Sequence, residues 1–183
     1  MVLKNTPLTW GRLCLLVSLC ALQSLSAQEH PVDSPHSDRA WLTIGAGIGN
    51  TGGDNTPFSF GLAGGIGLTY QPGVVLFTAR TAGMWNPFQG DFLGDVALLA
   101  GAGTRGQQSH ASLAVGPALA DGDLRFFRST HSTFHSRLGL GIQAQILGLP
   151  LSAVGLGLTG FANLNSRQSF GGVMLSLGFG QVR

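Results

Sequence analysis

One short stretch of the chain carries glycines at the spacing of a dinucleotide-binding turn. In ALLAGAGTRG, residues 97–106, the glycines Gly101, Gly103 and Gly106 form the pattern Gly-x-Gly-x-x-Gly directly after an apolar run. Asp121 follows Gly101 by twenty positions, where an acidic residue would bind the ribose of such a cofactor. The residue types and their spacing therefore raise the hypothesis of a nucleotide site.

A dinucleotide site also needs a helix directly after its glycine turn. The segment that would form this helix contains Gly116 followed by Pro117, and a proline in a helix interior costs about 3 kcal/mol. No other part of the sequence alternates between strand and helix patterns, so we interpret the spacing as accidental among 29 glycines. We expect the protein to bind no nucleotide, no other cofactor and no metal ion.

His110 and Ser112 are the residues that most resemble a nucleophile and its base. Two positions apart on a strand, they would share one face, where a histidine can take the proton of a serine hydroxyl. Such a pair also needs an acid that orients the histidine, and the chain has no glutamate after Glu29. We expect the protein not to be an enzyme and keep these two residues as the candidates for catalysis.

Arg80 and Asp95 lie on segments that an antiparallel hairpin about residues 84–91 would bring directly opposite each other. A buried arginine is tolerated when a carboxylate accepts hydrogen bonds from its guanidinium group. We therefore predict an internal ion pair within a polar network, which either fills a narrow interior or forms a gate in a polar conduit. The other predicted members of this network are Arg137, Gln143 and Gln145.

The segments that must position these residues alternate between aliphatic and small side chains with a period of two. In residues 41–49, Leu42, Ile44 and Ile48 share one face, and Thr43 and three glycines share the other. This period predicts β-strands. Such segments occur at residues 41–49, 59–70, 73–83, 92–103, 110–119, 137–146, 153–162 and 172–179.

The composition of the two faces predicts which of them meets lipid. The second face of these segments is mostly Gly, Ser, Thr and Ala with few charges, unlike the Lys- and Glu-rich polar face of a sheet in water. Small residues suit a crowded interior, and aliphatic residues suit lipid, which a transmembrane strand crosses in about 9–11 residues. We predict an all-β fold, an eight-stranded antiparallel up-and-down transmembrane β-barrel.

Long and short links between the segments largely alternate along the chain. This is typical of barrels with short periplasmic turns and longer external loops. The longest link, residues 120–134, would lie outside the cell. Its basic and aromatic residues suit phosphate groups of lipopolysaccharide or an external partner, or else an aromatic girdle at the membrane boundary. The predicted external surface consists of Arg125, Phe126, Phe127, Arg128, His131 and His135.

The N-terminal residues predict export from the cytoplasm. Lys4 and Arg12 precede an apolar stretch that ends in small residues, which is typical of a signal peptide over residues 1–27. Residues 28–39 would form a flexible periplasmic leader, and residues 40–183 the barrel domain. Cleavage removes both cysteines and leaves eight basic against eight acidic residues, so we expect no disulfide and no nucleic-acid partner.

Over residues 40–183 the chain resembles the small, eight-stranded bacterial outer-membrane β-barrel proteins. The resemblance rests on the signal peptide, the alternating segments and the final strand GGVMLSLGFGQVR. The chain also resembles a set of barrel proteins that end in similar FANLN…SFGGVMLSLGFG strands, which implies a location but no activity. Many outer-membrane barrels end on an aromatic residue that the assembly machinery recognises. Because this chain ends on Arg183, Phe179 would be an internal version of that signal.

This resemblance implies an integral protein of the bacterial outer membrane with a structural or surface-binding role. Its partners would be outer-membrane lipid, lipopolysaccharide and the barrel assembly machinery, and eight strands leave an interior too narrow for a general porin. One alternative is a lipid-modifying enzyme, since outer-membrane lipid A deacylases use a His-x-Ser pair like His110 and Ser112. The other is a soluble secreted barrel that binds an apolar ligand, in which the aliphatic face would point inward.

Overall fold

A computed structural model describes residues 38–52, 59–88, 90–104, 109–126, 130–148 and 153–181, without the side chains of residues 59, 91, 123–126 and 130–135. The predicted signal peptide, residues 28–37 of the predicted leader, Gly106, Phe127, Arg128 and Arg183 lie outside the described residues. Within the described part, no helix is long and apolar enough to cross a membrane.

In the described part of the chain, eight β-strands follow one another in sequence order around a closed barrel. Each strand pairs antiparallel with the next, and β1 pairs with β8 to close the sheet. The predicted eight-stranded antiparallel up-and-down barrel is therefore confirmed. The strands are β1 (Arg39–Gly52), β2 (Ser59–Gln71), β3 (Val75–Asn86), β4 (Asp91–Gly103), β5 (Ser109–Phe126), β6 (Thr130–Gly148), β7 (Val154–Asn165) and β8 (Ser169–Gly180).

The two faces of the sheet differ as the period of two predicts. On β1, the side chains of Trp41 and Thr43 are buried inside, whereas Ile44 and Ile48 are 48% and 62% exposed on the outside. Aliphatic residues are on the outside all around the barrel, which is the reverse of what a soluble barrel with an apolar interior requires. Further exposed members of this outer apolar belt are Leu62, Leu98, Leu113, Leu119, Leu138, Ile146, Leu158 and Leu175.

The interior is packed with side chains. We call the end where β1 begins the leader end, and the opposite end, where β5 leads into β6, the hairpin end. Trp41 and Leu147 form an apolar cluster at the leader end. A second cluster consists of Leu76, Ala97, Leu99, Ala114 and Ala118. The third, towards the hairpin end, consists of Ala63, Ala82, Met84, Leu93, Ala120, Phe161, Phe170 and Met174.

The link predicted at residues 120–134 is largely not a loop. β5 and β6 continue through most of it as a paired hairpin, in which Arg125 lies opposite His131. The register shifts between Ala120 and Gly122, as a β-bulge does. Phenylalanine and threonine favour strands, so this hairpin extends both strands beyond the 12 to 14 residues of the others.

Two glycines of the pattern that resembles a nucleotide-binding turn, Gly101 and Gly103, belong to the barrel wall. Gly101 lies opposite Ala114, and a Cβ at this position would collide with the carbonyl oxygen of Leu113 and come within 2.6 Å of the Ala114 Cα. Asp121 pairs with Gly94 near the hairpin end, far along β4 from Gly101. Position 101 therefore requires glycine, because β4 and β5 approach each other too closely for a side chain.

We predict that Gly101→Ala destabilises the barrel by about 1–3 kcal/mol, because the colliding atoms are backbone and cannot move aside cheaply. Gly64→Ala is the matched control, since a Cβ there points outward and comes no closer than 3.8 Å to the Gly45 carbonyl oxygen. That change stays within about 0.5 kcal/mol. Urea unfolding of protein refolded in detergent micelles measures both, and equal midpoints would contradict the close approach.

Candidate functional site

A buried ion pair lies at the centre of the interior polar residues. The Arg80 Nη2 atom lies 3.0 Å from Asp95 Oδ2, and the two side chains are 3% and 0% exposed. The same nitrogen donates to the Ala162 carbonyl oxygen at 3.2 Å, and the guanidinium lies 5.4 Å from the centre of the Phe161 ring. Two opposite charges are thus enclosed together and compensate each other.

The register of this pair differs from the sequence prediction. Arg80 lies opposite Ala97, so the prediction that it directly faces Asp95 is wrong by two residues. The turn causes the shift: Gly90 adopts a φ of 74° and its N–H donates to the Asn86 carbonyl oxygen. A shift of two residues keeps both side chains on the inner face, and the long arginine spans the diagonal between the strands.

Asparagines extend the network from the ion pair to the hairpin end. Asn163 Nδ2 donates to Asp95 Oδ2 at 2.8 Å, and Asn165 Nδ2 donates to Asn163 Oδ1 at 3.0 Å and to the Gln168 carbonyl oxygen at 2.8 Å. Asn163 is not among the predicted members of the network, because the sequence pattern ends the predicted strand before this residue. Extending the alternation of β7 past Phe161 would have placed it on the inner face.

A second polar cluster lies nearer the leader end. Gln145 Nε2 donates to Thr159 Oγ1 at 3.0 Å and to Thr43 Oγ1 at 3.3 Å, while Gln145 Oε1 accepts from Trp41 Nε1 at 3.3 Å. Of the two glutamines predicted to point inward, Gln145 is at the centre of this cluster and Gln143 is buried beside it. Trp41, Thr43 and Thr159 are not among the predicted members of the network, although their strand positions place them inside.

Arg137 does not join these clusters. Its side chain is exposed, although it was predicted to point into the interior. Arg137 pairs with Ala120 at the register shift between β5 and β6, and its neighbour Ser136 has a φ of 50°. A bulge re-aims the side chains around it, which the alternation of the sequence alone does not reveal.

His110 and Ser112 are not hydrogen-bonded to each other in the described structure. His110 is fully buried at the leader end, where its Nδ1 contacts the Thr104 carbonyl oxygen at 2.9 Å and its ring meets Trp41 edge-on at 4.7 Å. Among the described residues its Nε2 has no partner, so neither Ser112 nor a carboxylate is hydrogen-bonded to it. The described residues also contain no group of three or more potential metal ligands.

Solved structures of bacterial barrel proteins share this fold. Neisserial surface protein A is 14% identical, with a TM-score of 0.63 over 76% of this chain and 96% of its own. Ail, the attachment invasion locus protein of Yersinia pestis, is 13% identical, with a TM-score of 0.59 over 78% and 98%. The N-terminal β-barrel domain of Pseudomonas aeruginosa OprF is 11% identical, with a TM-score of 0.54 over 77% and 96%.

Ail has also been crystallised in complex with the heparin analogue sucrose octasulfate. No protein-family model and no curated protein matches this sequence. The fold itself is the small, eight-stranded antiparallel β-barrel that these bacterial outer-membrane proteins have.

We predict that Arg80→Ala lowers the free energy of unfolding by about 3–5 kcal/mol, because it leaves the Asp95 carboxylate buried without its cation. Leu140→Ala, on the outer face, is the comparison and should cost less. Urea unfolding in micelles measures both. Equal midpoints would mean that the inner and outer faces are wrongly assigned.

Proposed function

We propose that the protein is an integral barrel protein of the bacterial outer membrane with a structural or surface-binding role. The observation that carries the proposal is the closed eight-stranded sheet whose outside is aliphatic and whose inside combines hydrogen-bonded polar residues with packed apolar clusters. Closure leaves no sheet edge, and a sheet in lipid must have none because its backbone groups find no water to bond.

The outer apolar belt supports insertion into lipid rather than solution in water. Leu98, Leu138 and Ile48 are each more than 60% exposed, and similar residues surround them on every strand. Soluble monomers rarely expose contiguous apolar patches larger than a few hundred Å². Each strand has at least 12 residues, more than the roughly 9–11 that cross a bilayer.

The packed interior argues against a general porin. Apolar clusters occupy both halves of the lumen, and the Arg80–Asp95 pair lies between β3, β4 and β7. Barrels of eight strands have interiors just wide enough for side chains to fill. A structural or surface role therefore fits the interior better than the passage of solutes.

The N-terminal sequence and the strand order support a location and an orientation. A signal peptide at residues 1–27 would deliver the chain to the periplasm, so the leader end would face the periplasm and the hairpin end would face outward. We propose outer-membrane lipid and lipopolysaccharide as its surroundings. Phe179, outward and 40% exposed near the end of β8, is the proposed signal for the barrel assembly machinery.

The β5–β6 hairpin is the proposed binding surface. Its sequence combines Arg125, Arg128 and His131 with phenylalanines, and the register pairs Arg125 with His131. Arginine donors suit phosphate and sulfate oxygens. The complex of Ail with a sulfated saccharide supports an anionic saccharide, such as the phosphorylated part of lipopolysaccharide, as the ligand class.

Membrane insertion predicts two results. The protein should fractionate with outer membranes, and detergent-refolded protein should migrate differently on gels before and after boiling, since a closed barrel resists detergent until it is heated. Recovery in the soluble periplasm, or identical migration of boiled and unboiled samples, would contradict the proposal.

Hairpin binding predicts that Arg125→Gln and Arg128→Gln each weaken binding to lipopolysaccharide by about tenfold, because each removes a charged hydrogen-bond donor. Added salt should weaken the wild-type complex as well. The matched control is Arg167→Gln, an exposed arginine on the β7–β8 link at the same end. Binding of refolded protein to immobilised lipopolysaccharide measures all three, and equal losses for the control would argue against a hairpin site.

A further inference from the structure

A small cavity lies inside the barrel between the ion pair and the cluster around Gln145. Its volume is about 20 Å³, and a water molecule needs about 10–15 Å³. Its lining includes the polar side chains of Thr43, Arg80, Gln143 and Thr159. The cavity is therefore large enough for a water-sized molecule and has polar groups from four strands around it.

Arg80 lines this cavity and also has donors without an acceptor among the described residues. Only its Nη2 atom is bonded, to Asp95 and to the Ala162 carbonyl oxygen. The Nε and Nη1 atoms are buried and have no partner among the described residues, and the whole side chain is only 3% exposed. Buried donors without an acceptor are unfavourable, so an acceptor beside them would stabilise the folded barrel.

Thr43 and Thr159 also line the cavity, and each has a hydroxyl group. Both Oγ1 atoms accept a hydrogen bond from Gln145 Nε2. A threonine hydroxyl has a second lone pair and one hydrogen of its own. Each hydroxyl can thus still bond a molecule in the cavity, as donor or as acceptor.

We propose that this cavity is a binding site for one water molecule, which joins Arg80 to Thr43 and Thr159. Water both accepts from the guanidinium and donates to the hydroxyl oxygens. A small anion is the less suitable occupant, because Asp95 already neutralises Arg80. The bound water completes one hydrogen-bonded column that runs from Gln168 at the hairpin end to Trp41 at the leader end.

A crystal structure of the full barrel, refined at a resolution that shows ordered water and repeated after a bromide soak, tests the site. The expected result is one water within hydrogen-bond distance of Arg80 Nε or Nη1 and of one of the two threonine hydroxyls, with no bromide signal. A bromide peak at that position would replace the proposal with an anion site. A cavity without density in either crystal would overturn it.

A double-mutant cycle tests the same link through stability. Arg80→Lys keeps the charge beside Asp95 but replaces the guanidinium, with its unpartnered Nε and Nη1 donors, by a single ammonium group. Combined with Thr43→Val, it should be non-additive by about fivefold or more in the unfolding equilibrium constant. The control is Thr51→Val, another buried threonine on β1 that does not line the cavity. Additive effects for both pairs would contradict a shared water.

Discussion

The pairing of β1 with β8 closes the sheet, and the interior follows from this closure. A ring of eight strands leaves room for little more than one layer of inward side chains. Large residues such as Trp41 and Phe161 therefore have to be offset by glycine or alanine on neighbouring strands. Glycine is also required where two strands approach closely, as at Gly101, where the backbone of β5 leaves no room for a side chain.

Closure also determines how a charge can exist inside the barrel. Burial of Arg80 is tolerated because Asp95 lies on the adjacent strand, and Asn163 donates to the same carboxylate oxygen, Asp95 Oδ2. The pair is joined through one guanidinium nitrogen, which leaves further donors for the cavity beside Thr43. The polar residues thus form two clusters with this cavity between them, and apolar clusters pack in the rest of the interior.

The part of the fold that the sequence predicted is the part that depends on local pattern. The period of two identified the strands and their faces, and it correctly assigned Arg80, Asp95, Gln143 and Gln145 to the inner face. The same pattern gave wrong predictions where the regular strand pairing is interrupted. The register shift after Ala120 turned Arg137 outwards, and the polar composition of residues 120–134 concealed an extended hairpin.

The sequence by itself determined the number of strands and the side of the sheet on which each residue lies, because a strand exposes alternate residues whatever its partners are. Only the tertiary structure decided which inward residues meet. The diagonal from Arg80 to Asp95 depends on the turn at Gly90, which sets the register. The bond from Gln145 to Thr43 joins residues 102 positions apart. Such contacts depend on closure and on the relative shift of all eight strands, and no local pattern contains them.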